Sequence, residues 1–169
     1  MEIDACWSGL VAFTLFSVAS LTDWLDGYLA RRYHLITDLG KLLDPLADKI
    51  LVSAAYIGLV DHQLAPAWIV VFIIAREFMI TGLRMLAAAK GVILAAERIG
   101  KHKTISQIVT VLIGLAILSF EQMKWIPGLT ASLRIWLLNP MLYLTLIITV
   151  LSGAFYFAKN YKLVLAEKN

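Results

Sequence analysis

The chain has 169 residues, enough for one domain, and 60% of them are apolar while only 16% are charged. A soluble globule of this size carries about 25% charged residues, so this composition, with a mean hydropathy of +0.80, excludes a water-exposed surface all round. Disorder and collagen are excluded with it, and the single cysteine, Cys6, excludes a disulfide scaffold. The expected class is an all-α polytopic membrane bundle, read as one domain over residues 1–169.

A bilayer core of about 30 Å needs roughly 20 residues of helix per crossing. In chain order, the first expected helix is 6–32, built on the charge-free run Ala5–Thr22. Glu2 and Asp4 stand where a signal peptide would be basic. Helices are next expected at 38–60 and 66–90, both interrupted by charge. A fourth, at 103–122, contains the charge-free run Thr104–Phe120. A fifth, at 139–159, is built on the charge-free run Ile135–Ala158, with Asn139 read as its N-cap and Pro140 as its first turn. Five spans result. Basic residues gather in Arg31–Arg32, in Lys90 to Lys103, and in Lys159 to Lys168, while the intervening loops hold none or two. The positive-inside rule puts the basic loops and the C-terminus in the cytoplasm and the N-terminus outside.

The spans carry carboxylates that insertion disfavours by about 2.5–3.5 kcal/mol each. Asp23 and Asp26 close the first helix, and Asp44 and Asp48 open the second. Their spacings are i,i+3 and i,i+4, with Gly27 and Gly40 in the same registers, so the four acids are expected to converge on one hairpin just inside the membrane. Pro45 interrupts that face. Carboxylates this close retain protons or take cations between them. Oxygen ligands suit hard divalent ions such as Mg²⁺ or Mn²⁺. The competing structural reading pairs the acids with Arg31, Arg32, Lys41 and Lys49 in an interfacial ion network. His34, His62 and His102 are expected in loops and share no ligand spacing.

Written out, the segment is Asp23-x-x-Asp26-Gly27-x-x-Ala30-Arg31, eight residues, Gly40-x-x-x-Asp44-x-x-x-Asp48. It resembles the complete signature of the CDP-alcohol phosphatidyltransferase family. The resemblance implies a six-helix membrane bundle, usually a homodimer, that transfers a phosphatidyl group from a CDP-linked lipid to an alcohol and releases CMP. It implies a site open to the cytoplasm, here of a bacterial inner membrane, and two divalent ions. It assigns Asp23, Asp26 and Asp44 as metal ligands, and Asp48 as ligand and general base. Asp23, Gly27, Ala30, Arg31 and Gly40 would bind the CDP-lipid. This chain opens almost directly in what corresponds to the second helix of such a bundle, which accounts for five expected spans rather than six.

The third and fourth helices point to the acceptor. Glu77, Thr81 and Arg84 form a polar stripe at i, i+4 and i+7, expected to face the interior, with Arg76 near mid-membrane. Lys101 and Lys103 follow, and Gln107 and Thr110 continue a stripe from Lys103. The structural readings are an intramembrane ion pair and ordinary loop charge. The segments Gly40–Lys49, Arg76–Arg84 and Gly100–Gln107 are similar to the members of the family that use sn-glycerol 3-phosphate. On that resemblance, Arg84, Lys101 and Lys103 are assigned to the acceptor phosphate, with CDP-diacylglycerol, glycerol 3-phosphate and membrane lipids as partners and no nucleic acid. The alternatives are a family member with another acceptor (cardiolipin or inositol-phosphate type), a membrane prenyltransferase, and a divalent-cation carrier or scaffold.

Overall fold

A computed structural model describes residues 3–33, 38–89, 91, 99–124 and 127–165. All regular structure among them is helical. The elements are α1 (Ile3–Tyr33), α2 (Asp38–Asp61), α3 (Ala67–Ala89), α4 (Ile99–Gln122), α5 (Pro127–Leu133), a π-helical turn (Arg134–Leu138) and α6 (Asn139–Leu165).

Five long helices thus stand where five were expected, and three corrections apply. Helix α4 begins at Ile99, so His102 lies in a helix and not in a loop. Asn139 is not an N-cap. It has helical angles, φ −60° and ψ −50°, and its amide donates to the carbonyl of Arg134, five residues back. The chain therefore runs unbroken from α5 into α6. The physical reason is Pro140. It lacks an N–H and its ring crowds the carbonyl one turn earlier, and a widened π turn immediately before it absorbs both defects without ending the helix. The third correction concerns Arg84, which is exposed and not interior.

Helix α4 is the hub. It packs against α1, α2 and α6, while α3 lies along α6; among the described residues α1 touches α2 over a short stretch. The core between them contains Tyr56 and Leu59 from α2, Ile69 and Ile73 from α3, Val111 and Leu115 from α4, and Leu142 from α6. A smaller cluster of Ile80, Leu83, Ala87 and Tyr156 closes the other end of the α3–α6 seam.

The outward faces are apolar as well. Leu15, Val71, Trp136, Leu151 and Phe155 are all more than half exposed. A soluble monomer rarely presents such contiguous apolar area, whereas lipid accepts it. Lys103–Gln122 and Gly128–Tyr161 are long and apolar enough to cross a membrane, and Trp7–Asp23 is a shorter apolar run. Charges set α2 and α3 apart from these: Lys41, Asp44, Asp48 and Lys49 in one, and Arg76, Glu77 and Arg84 in the other.

Candidate functional site

Helical register distributes the aspartates. Asp23 and Asp26 lie one turn apart in α1, and both are exposed. Asp44 and Asp48 lie one turn apart in α2, as does Gly40 one turn earlier. Gly27, Ala30 and Arg31 belong to α1. The side chains of Ala30, Arg31, Asp44 and Asp48, and the surroundings of Gly27 and Gly40, lie outside the described residues, so the expected convergence of four acids does too. No group of three or more metal-type ligands occurs among the described residues. The donor set itself fits a hard divalent cation: carboxylate oxygens only, in two pairs at helical spacing, the first pair exposed.

Beyond the aspartates, α2 turns inward. Lys49, next to Asp48 in sequence, is half-buried and lines a small cavity with Ser53, Tyr56, Glu77, Lys103, Thr104 and Gln107. Its volume is about 20 Å³, room for about one water. Lys103 is 4% exposed, and Gln107 and Thr110, one and two turns on, are 3% and 0% exposed. The polar stripe predicted on α4 is therefore the buried face of the hub helix.

Glu77 organises this cluster. Its Oε1 accepts from the Lys103 ammonium, from Arg76 Nη1 at 3.3 Å and from Gln107 Nε2 at 3.5 Å. Arg76 also donates from Nη2 to Ser152 Oγ on α6, at 3.1 Å. The Arg76 Nε is buried with no hydrogen-bond partner among the described residues. Gly153 makes space for this arginine: a Cβ there would come 2.7 Å from Arg76 Cγ. Tyr56 donates to the Gln107 carbonyl at 3.4 Å, and the Thr110 and Thr145 hydroxyls pair at 2.9 Å across α4 and α6.

Of the three cations assigned to an acceptor phosphate, Lys103 is held at Glu77 across α3 and α4. Arg84 is held at the α3–α6 seam, where its Nε donates to the Tyr156 hydroxyl at 3.1 Å and its guanidinium lies 5.3 Å from that ring's centre. The Lys101 side chain lies outside the described residues. Sequence reasoning missed Ser152, Gly153 and Tyr156 as partners of the α3 cations. Their signal was present: a serine–glycine pair and a tyrosine one turn on interrupt a largely apolar helix α6.

The described polar core is thus a cationic seam inside a lipid-facing bundle, and it starts where the aspartate motif of α2 ends. Residues 5–151 match the family described as CDP-alcohol phosphatidyltransferase. The chain belongs to that family. The matched span contains every position of the CDP-alcohol phosphatidyltransferase signature, from Asp23 to Asp48, together with Glu77, Arg84, Lys101 and Lys103.

Among its relatives is a protein of Bacillus subtilis (strain 168) named CDP-diacylglycerol–glycerol-3-phosphate 3-phosphatidyltransferase. It is 48% identical over 154 residues, which make up 90% of this chain and 75% of that protein. A Mycoplasma genitalium relative of the same name is 36% identical over 134 residues, 79% of this chain and 56% of its own length. A third, from Mycoplasma pneumoniae, is 31% identical over 151 residues, 89% of this chain and 66% of its own. The chain thus spans between about half and three quarters of the length of these family members.

Proposed function

We propose that the chain transfers the phosphatidyl group of CDP-diacylglycerol to sn-glycerol 3-phosphate, giving phosphatidylglycerol phosphate and CMP. The observation that carries this reading is the 48% identity, over 90% of the chain, to a relative named for that reaction. The family signature, intact from Asp23 to Asp48, agrees with it.

In this reading Asp23, Asp26, Asp44 and Asp48 hold two divalent ions, Mg²⁺ or Mn²⁺. When bound, these neutralise the pyrophosphate and the charge that builds on the transferred phosphorus. Arg31 offers a charged fork to the CDP-lipid phosphates, and Gly27, Ala30 and Gly40 let the nucleotide approach the helices. Asp48 takes the proton from the attacking hydroxyl of glycerol 3-phosphate, and CMP leaves. The acceptor phosphate is bound by Arg84, Lys101 and Lys103.

The buried seam supports a phosphate-bearing acceptor over serine or inositol. Arg76 and Lys103 share the single carboxylate of Glu77, so these three residues carry a net positive charge. Lys49 brings that field to the residue beside Asp48. We further propose a homodimer in a bacterial inner membrane, with the aspartates facing the cytoplasm as the basic loops require.

The test is CMP release by purified protein with CDP-diacylglycerol and Mg²⁺ or Mn²⁺, offering glycerol 3-phosphate, inositol phosphate, serine and phosphatidylglycerol in turn. Only glycerol 3-phosphate should give substantial turnover, and chelation should stop it. Asp48→Asn should reduce turnover by about 10³-fold or more, as expected for loss of a general base that is also a metal ligand, while CDP-diacylglycerol still binds. Preference for another acceptor would overturn the substrate assignment.

A further inference from the structure

A second cavity, of about 420 Å³, lies at the other end of α2 from the aspartates. Asp48 and Asp61 are 13 residues apart in one helix, about 20 Å at 1.5 Å per residue. The cavity is walled by Val60, Gln63 to Ala67, Ile69, and Arg134, Asn139, Leu142 and Tyr143 from the π turn and α6. Its size is that of a small-molecule site.

The chemistry of the wall is one-signed. Arg134 contributes a guanidinium, and none of the described residues lining the cavity is acidic. Arg134 is oriented by one donor, its Nη2, on the Gln63 carbonyl; a guanidinium has five N–H donors in all. Gln63 presents that carbonyl from a left-handed turn, φ 56°. Asn139 and Tyr143 add neutral polar groups, and Ala67, the first residue of α3, adds the positive end of a helix. The π turn fixes Arg134 here, since the Asn139 amide bonds the Arg134 carbonyl.

The surroundings are those of a membrane interface. The Trp68 ring packs 6.3 Å from the Tyr143 ring, and Trp68 and Trp136 are 51% and 81% exposed. Trp68 stands in the first turn of α3, and an exposed tryptophan at a helix end marks the headgroup level. An arginine in a cavity open at that depth meets lipid phosphates before any other anion.

We propose that this cavity binds the phosphodiester headgroup of an anionic phospholipid from the leaflet opposite the aspartates, with Arg134 as its charge partner. The site is separate from the transfer reaction and stands whether or not that reaction is correctly assigned.

Native mass spectrometry of the intact chain, released from nanodiscs of equal dioleoylphosphatidylglycerol and dioleoylphosphatidylcholine, reads the retained lipids. The wild type should keep the anionic lipid over the zwitterionic one by roughly fivefold, the scale of one charge-assisted contact. Arg134→Gln should bring the ratio near one, and Arg134→Lys should keep part of it. Asn139→Leu fills the wall but leaves the guanidinium in place; it should also lose the preference, and it serves as the test if Arg134→Gln fails to fold by circular dichroism. No preference in the wild type, or a preference that survives either Arg134→Gln or Asn139→Leu, overturns the proposal. Displacement of the lipid by excess inorganic phosphate overturns the lipid assignment in favour of a free anion.

Discussion

Glu77 is the one carboxylate shared by Arg76 and Lys103, so removing its charge strands two cations in a water-poor interior. Glu77→Gln should cost about 3 kcal/mol, the scale of breaking a buried pair, read as a lowered unfolding midpoint in detergent. With Lys103→Met in the same chain the loss should shrink, because the two residues form one unit. Thr149 is the opposite case. Its hydroxyl is buried without a hydrogen-bond partner among the described residues, so Thr149→Val should leave the midpoint unchanged or raise it slightly. The sequence made Glu77, Lys103, Gln107 and Thr110 visible as polar residues at helical spacing in apolar surroundings. It could not show that Lys103 pairs with Glu77, because a 26-residue separation carries no periodicity to read. Arg84 misled for a related reason: spacing put it on the Glu77 face, but its length lets its guanidinium reach Tyr156 instead.

At the level of elements, the α3–α6 seam depends on a missing side chain. Gly153 seats Arg76 with no spare room, and the atom a Cβ would strike is mid-chain, so it cannot swing aside freely. Gly153→Ala should lower stability by about 1–3 kcal/mol, as overpacking does. Thermal unfolding of the single change, of Arg76→Ala and of the pair should show that the two effects are less than additive. Most helix bounds were legible because charge-free runs and prolines mark them; α2 and α3 fall within a residue of their expected limits. The start of α6 was not legible. Asparagine before proline is a helix-start signal locally, and only the wider π turn allows a helix to pass through it. The packing order was hidden as well. Nothing in the sequence marked that, among the described residues, α1 packs chiefly on α4.

For the whole molecule, the asymmetry of basic residues predicts a direction across the bilayer that labelling can read. In a Cys6→Ser background, His62→Cys, exposed in the α2–α3 turn, should react with an impermeant maleimide on intact cells. Arg32→Cys, exposed near the end of α1, should react only after permeabilisation. The reverse pattern would invert the topology and put the aspartates on the wrong side for a cytoplasmic nucleotide. The pairing of α1 with α4 bears on how the chain is made. Gly9 donates its amide to Gln122 at 2.6 Å, joining positions 113 residues apart. At about 5–20 residues per second of synthesis, α1 waits roughly 6–23 seconds before that glutamine leaves the ribosome. Through that interval α1 must persist in lipid without its final neighbour, so its own apolar run, and not the finished bundle, decides whether biogenesis succeeds.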